Sequence, residues 1–238
     1  MSGWTGDANV YPNEIRQAIA LFMRATELDP HYVEAIASLS TMLCMRYLLN
    51  EQAETLDEAA AHAQRALALD ENDAWSQNCM GWVALLRRQY DLAGQHFDRS
   101  VGLNPNDTIV VTDRAYWLIH VNRLDEALSC LDLAMQRDPY PTTWMWDARG
   151  QALYFLKRYS EALTAIRNMR AAHFWSPMFL VASLAQSGQM TDAHRARANF
   201  LKANPKASLS SVSKKLVYAD KALCDHLLEG LRKAGLPE

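Results

Sequence analysis

Seven histidines (His31, His62, His96, His120, His173, His194 and His226) and four cysteines (Cys44, Cys79, Cys130 and Cys224) are the side chains of this 238-residue chain best suited to metal ligation or nucleophilic chemistry. Their spacing argues against both uses. A zinc site draws on closely spaced ligand pairs such as CxxC or HxxxH, and neither the cysteines nor the histidines are so paired among themselves. HExxH, GxSxG, GxGxxG and GxxxxGK[ST] are all missing, and with them the helical zinc pair, the nucleophile elbow and the glycine-rich phosphate cradles. The expectation is a chain without catalysis, metal or cofactor. The isolated cysteines read as small apolar core residues of a reducing compartment.

Charge and hydropathy narrow the partners. Lys and Arg number 24 against 27 Asp and Glu, a net −3 with no basic stripe, so nucleic acid is not an expected partner. No apolar run approaches the roughly 20 residues that cross a bilayer, and Met1-Ser2-Gly3-Trp4 does not begin a signal peptide. No membrane partner and a cytoplasmic location are expected. Half the residues are hydrophobic and 21% are charged, as in an ordinary folded chain.

The organising feature is a pattern that repeats at 34 residues. Gly81, Ala93, Phe97 and Pro105 recur as Ala115, Ala127, Leu131 and Pro139. Tyr90-Asp91 pairs with Leu124-Asp125, and Leu103-Asn104-Pro105 with Arg137-Asp138-Pro139. Small, small twelve later, bulky apolar four later, then Asp or Asn before Pro: this resembles the tetratricopeptide repeat (TPR). The resemblance implies an all-α, right-handed superhelix (an αα-solenoid) of five to six helix pairs with a C-terminal capping helix. The units fall at about 1–30, 31–71, 72–105, 106–139, 140–175 and 176–205. Residues 206–238 form a linker and the capping helix.

In chain order, residues 1–12 read as a frayed opening, and a first helix expected over about 1–10 is poorly supported by Gly3, Gly6 and Asn9. The expectation is a piece of a longer polypeptide. From Asn13, Ile15, Ala18, Ile19 and Phe22 trace a helical stripe that ends at Leu28-Asp29-Pro30. In the second unit Leu49 to Glu54 adds about seven residues to the usual turn, projecting as a loop or as longer helices. In the fourth, Arg114 stands where a large apolar residue is expected; its guanidinium either snorkels outward or pairs with a carboxylate such as Asp113. The fifth unit closes irregularly over 169–175. The sixth is expected as helices over 176–187 and 191–203. After Pro205 the Ser208 to Ser213 cluster reads as helix-start chemistry or a loop. Leu223, Leu227, Leu228 and Leu231 then mark an amphipathic helix stopped by Gly235. That helix either caps the solenoid or serves as a docking or dimerisation element.

What the resemblance implies about binding is a concave groove lined by the first helix of each unit. Carried onto this chain, the groove positions are Glu34, Ala37, Thr41 and Met45, then Trp75, Asn78, Trp82 and Leu86. Ile109, Thr112, Tyr116 and His120 follow, then Trp144, Asp147, Gln151, Tyr154 and Phe155. Aromatics there supply large contact area with few rotors to freeze. Trp82 and Tyr116 divide evenly between groove and core, Trp117 could also be core, and Trp75 leans to the groove. The Lys and Asn clamp by which some TPRs grip an acidic C-terminus is not reproduced: Asn78 is present, but its counterparts are Ala37, Thr112 and Asp147.

The chain is also similar to the C-terminal TPR region of bacterial regulators that carry a class III adenylate or guanylate cyclase domain or a winged-helix DNA-binding domain. The residues responsible are Ala18 to Pro30, Arg123 to Ala127 and the ending Leu231 to Glu238. This implies a protein-interaction scaffold, the regulatory arm of a bacterial signalling protein. It would bind a peptide or helical partner, or an N-terminal effector domain of the same polypeptide. Homo-dimerisation is the alternative.

Overall fold

The computed structural model describes residues 10–50, 52–170 and 175–238. In order the helices are α1 (Val10–Leu28), α2 (Val33–Asn50), α3 (Ala53–Leu69), α4 (Ala74–Leu86) and α5 (Tyr90–Leu103). Then come α6 (Thr108–His120), α7 (Leu124–Arg137), α8 (Thr143–Phe155) and α9 (Tyr159–Arg167). Last are α10 (Ser176–Gln186), α11 (Met190–Ala203), α12 (Leu209–Lys215) and α13 (Lys221–Lys233). No strand occurs among the described residues. The expected first helix over 1–10 lies almost wholly outside them, as do residues 171–174 of the irregular fifth-unit close.

Local chemistry sets the boundaries. α5, α7 and α11 each stop at Asn104, Asp138 or Asn204, directly before Pro105, Pro139 or Pro205. A residue preceding proline is pushed out of the helical region. First helices start from polar caps: at α4 the Asp73 carboxylate accepts from the Ser76 amide at 2.7 Å, and at α6 the Asp107 carboxylate from the Ile109 amide at 2.8 Å.

The turns inside the pairs α4/α5, α6/α7, α8/α9 and α10/α11 are equally regular. Arg88, Asn122, Lys157 and Gly188 all take positive φ, at 58°, 60°, 61° and 80°. In each case the following amide reaches back five residues: Gln89 to Ala84, Arg123 to Leu118, Arg158 to Leu153 and Gln189 to Leu184, all at 2.8 to 2.9 Å. One left-handed residue reverses the chain and satisfies a helix-end carbonyl, so the two helices fold back against each other. Three of the four residues are not glycine, which is why this turn is weakly marked in the sequence.

The helices group into two compact units, residues 10–117 and Leu118–Glu238, with α6 crossing the boundary. In the first, α2 packs on α1, α3 and α4, and α4 on α5. The extra residues near position 50 lengthen helices: α2 has 18 residues and α3 17, against 13 and 14 in α4 and α5. The pair interlocks through small residues under large ones. Gly81 faces the fully buried Phe97, and a Cβ on Gly81 would lie 2.8 Å from that ring. Trp117 lies over Gly94 and donates its indole N–H to the Tyr90 carbonyl at 2.9 Å, so it is core. Arg114 pairs with Asp98, Nε to Oδ1 at 2.6 Å. Asp113 is itself buried.

In the unit Leu118–Glu238, α7 packs on α8, α8 on α9, and α10 on α8, α9, α11 and α13. Gly150 repeats the interlock, its α face 3.0 Å from Ile166 measured at an ideal Cβ. Arg149 and Asp132 repeat the ion pair of Arg114 and Asp98 one unit later. The Ser208 cluster is helix-start chemistry: Ser208 and Ser211 form a reciprocal capping box for α12. Gly235, at φ 82°, ends α13, with the Leu236 amide returning to the Leu231 carbonyl at 3.0 Å.

A Cβ at Gly188 meets nothing within 4 Å, so alanine there tests the turn's backbone alone. Gly188→Ala is expected to cost roughly 1 kcal/mol in urea denaturation, the penalty for an L-residue in the left-handed region. An unchanged midpoint would contradict the account of the turn.

Candidate functional site

In the unit covering 10–117, the residues expected to line a groove separate by depth. Trp82 is 4% exposed and Tyr116 1%; Trp82 meets Phe97 edge-on at 6.0 Å and Tyr116 at 5.8 Å. Both serve the packing between helices. Asn78 is fully buried and its amide donates to the Asp113 carboxylate at 2.6 Å, joining α4 to α6. Thr112 is buried too, its hydroxyl turned back onto the Thr108 carbonyl. Ala37, Thr41 and Met45 are buried on α2, whereas Glu34 is exposed.

Trp75 and Ile109 are placed differently. Each is the second residue of its helix, α4 or α6, 34 positions apart. Trp75 is half-buried against the Ile36, Ala37, Ala63, Ala66 and Cys79 cluster, its indole N–H donating to Ser38 Oγ at 3.2 Å. Ile109 is 47% exposed. The Ser38 hydroxyl fixes one edge of the indole, and the ring is not fully buried.

The thiols nearby are free and buried. Burial pushes Cys44 up to about 12 and Cys79 higher still. Cys79 is held by Thr41 Oγ1 at 3.0 Å and the Ala37 carbonyl at 3.2 Å. Among the described residues no group of three His, Cys, Asp or Glu side chains could hold a metal ion. No described helix is long and apolar enough to cross a membrane.

In the unit Leu118–Glu238, Trp144 is half-buried at the second position of α8, the place Trp75 and Ile109 take on theirs. His120, Asp147, Gln151 and Tyr154 are buried, and the chain's own C-terminal segment covers three of them. The Tyr218 ring stacks on His120 at 4.7 Å, and its hydroxyl donates to Gln151 Oε1 at 3.1 Å. The Ala219 amide donates to the His120 carbonyl at 2.8 Å, and Asn122 Nδ2 to Asp220 at 2.7 Å. The Tyr154 hydroxyl donates to the His226 carbonyl at 2.9 Å, and the Tyr159 hydroxyl meets His226 Nε2 at 3.1 Å. Phe155 packs edge-on against both Phe179 and Tyr218. The amphipathic helix expected near the C-terminus therefore lies along α10 and the inner side of α8. Sequence reading missed Tyr218 and His226; the signal available was the apolar trio Leu216-Val217-Tyr218 after a run of Ser and Lys.

Burial holds His226 below the ordinary histidine range, and the nearby Lys157 charge acts in the same direction against a smaller opposing effect of Glu229. His62 and His96 are lowered in the same sense, chiefly by burial. As pH falls the unfolded chain takes up these protons first. The contribution is full above the usual value near 6.5 and is lost as pH drops through the lowered values. Thermal midpoints are expected to fall between pH 7 and 5, and His226→Gln to flatten part of that slope. A variant with an undiminished slope would contradict the placement of this ring.

No protein-family model matches the chain, and no curated protein matches it. Solved structures do. The chain is similar to PilF of Pseudomonas aeruginosa at 15% identity, covering 84% of this chain and 88% of that one with a TM-score of 0.55. It is similar to PilW, a type IV pilus biogenesis factor, at 14% identity, covering 84% and 90% with a TM-score of 0.59. It is similar to a chain of the APC/C hetero-tetramer Cut9–Hcn1 at 15% identity and a TM-score of 0.68, covering 92% of this chain but 41% of that one. At these identities the likeness shows the fold: an all-helical, TPR-like αα-solenoid.

Proposed function

We propose that the chain is a protein-interaction scaffold that holds a peptide or helical partner. The observation carrying this reading is that Trp75 and Ile109, in one compact unit, occupy the same second position of successive first helices, α4 and α6, and neither is fully buried; Trp144 takes that position on α8 of the other unit. Repeat architectures place recognition at such recurring positions, each unit adding one contact. Aromatic anchors partly seated in packed surroundings lose little rotamer entropy on binding. Trp82, Tyr116, Asp147, Gln151 and Tyr154 then act beneath the surface, holding the helices that present these anchors. That the neighbour Cut9–Hcn1 is a hetero-tetramer and PilW a pilus biogenesis factor accords with this reading.

A finer reading, the regulatory arm of a bacterial cyclase-type signalling protein, rests on the resemblance of the Leu231 to Glu238 ending. An effector domain joined to the chain would be its partner in that case. The second reading is homo-dimerisation. The last helix spends its stripe inside the chain, Leu223, Leu227 and Leu231 being buried. The face that favours self-association is on α1, where Leu21 and Leu28, seven residues apart, are 70% and 71% exposed.

Replacing Trp75 and Ile109 together by Ala is expected to weaken partner capture from the source cells at least tenfold with helical circular dichroism unchanged. Capture equal to that of the unaltered chain would refute the anchors. Light scattering from low to high micromolar concentration decides the second reading. A constant monomer mass would exclude dimerisation, and a mass that doubles and reverts in Leu28→Glu would establish it.

A further inference from the structure

The inner side of α8 and α10 already holds an occupant. Residues 216–231 cross it from Leu216 to Leu231, and the contacts have the form of a recognition site. Leu223, Leu227 and Leu231, spaced four apart, turn one buried edge of α13 inward toward α10. Gly230 lets the helix sit close: a Cβ there would lie 2.6 Å from the Tyr154 hydroxyl and 2.9 Å from Ala182 Cβ. Directional hydrogen bonds fix the register, at Tyr218, Ala219 and Asp220 before the helix and at His226 within it. The outward side is charged, with Lys221, Asp225, Glu229, Arg232 and Lys233 exposed or partly so.

We infer that residues 216–231 are a resident ligand of the α8–α10 face, so that this face recognises an amphipathic helix and admits an outside one only in competition with its own. The partner chemistry is read off the resident. It is a helix with Leu at i, i+4 and i+8, a Gly or Ala one residue before the last Leu, and a Tyr five residues ahead of the first. This rests on the scaffold reading and names the ligand class of one of its faces.

Two features separate a docked ligand from an ordinary core helix. The contacts of residues 218–230 with α8 and α9 join residues 67 to 76 positions apart, whereas each helix pair closes through a turn of two to four residues. Long-range docking of this kind opens as a unit of its own while locally closed hairpins stay folded. The second feature is the polar content of the contact. Hydrogen bonds exchange with water at small net cost, so they specify register more than they add affinity. Beyond α13 the tail is held by Arg197, which donates to the Ala234 and Gly235 carbonyls at 3.1 and 2.9 Å, and opening must release these as well.

The test uses the full chain and a synthetic peptide of residues 214–235, so its outcome is independent of any outside protein and of the Trp75 and Ile109 anchors. Backbone hydrogen exchange in the unaltered chain is expected to show α13 exchanging at least tenfold faster than α8 and α10. The labelled peptide is expected to bind Gly230→Leu, whose own segment is displaced, at least tenfold more tightly than it binds the unaltered chain. Exchange of α13 in step with α8 would overturn the inference, as would equal peptide binding, or none, to both proteins. If Gly230→Leu does not fold, the double variant Tyr218→Phe with Asp220→Ala, both within the resident segment, takes its place, under the same two outcomes for the peptide.

Discussion

A small residue beneath a large one is the contact on which this structure depends. Gly81 under Phe97 and Gly150 under Ile166 sit at the same separation of 16 positions, two repeats apart. Helices approach this closely only where one of them gives up its side chain. The ring that fills the space has no water on any side, since Phe97 is fully buried. Because the separation is fixed, the turn between the two helices must also be fixed. The recurring left-handed residue at 88, 122, 157 and 188 supplies that.

From this follows a division of labour along each first helix. Positions that meet a neighbouring helix are consumed by packing, whatever their polarity. Asn78 is the clearest case: it has the residue type of a carboxylate-gripping clamp, yet its amide is spent on Asp113 in α6. At the helix starts Trp75, Ile109 and Trp144 keep part of their surface. Recognition in this account occurs at the ends of the helices and is supported by the buried aromatics beneath.

The fold was legible because its strongest determinants are local and repeated. Prolines after α5, α7 and α11, the small-and-bulky spacing and the Leu223 to Leu231 stripe each announce a feature the structure contains. The site was less legible, since a helical period says which residues share a face but not what else lies on it. His120, Gln151 and Tyr154 are covered by the chain itself; that Tyr218 and His226 from 67 to 98 positions away would cover them depends on contacts no local pattern encodes. Arg114 illustrates the same limit. Its neighbour in sequence, Asp113, is turned toward Asn78, while the carboxylate it meets, Asp98, lies on the preceding helix.

The interlock is tested most directly by a double-mutant cycle on Gly81 and Phe97 in the full chain, followed by urea denaturation. Gly81→Val overpacks the contact and Phe97→Val leaves a void, each costing about 1–3 kcal/mol or more. Combined, the added methyls occupy part of the vacated space, so the double variant should be more stable than the sum of the single losses by at least about 1 kcal/mol. Strict additivity of the two losses, or a Gly81→Val chain as stable as the unaltered one, would show that the close approach of α4 and α5 does not hold the repeat together.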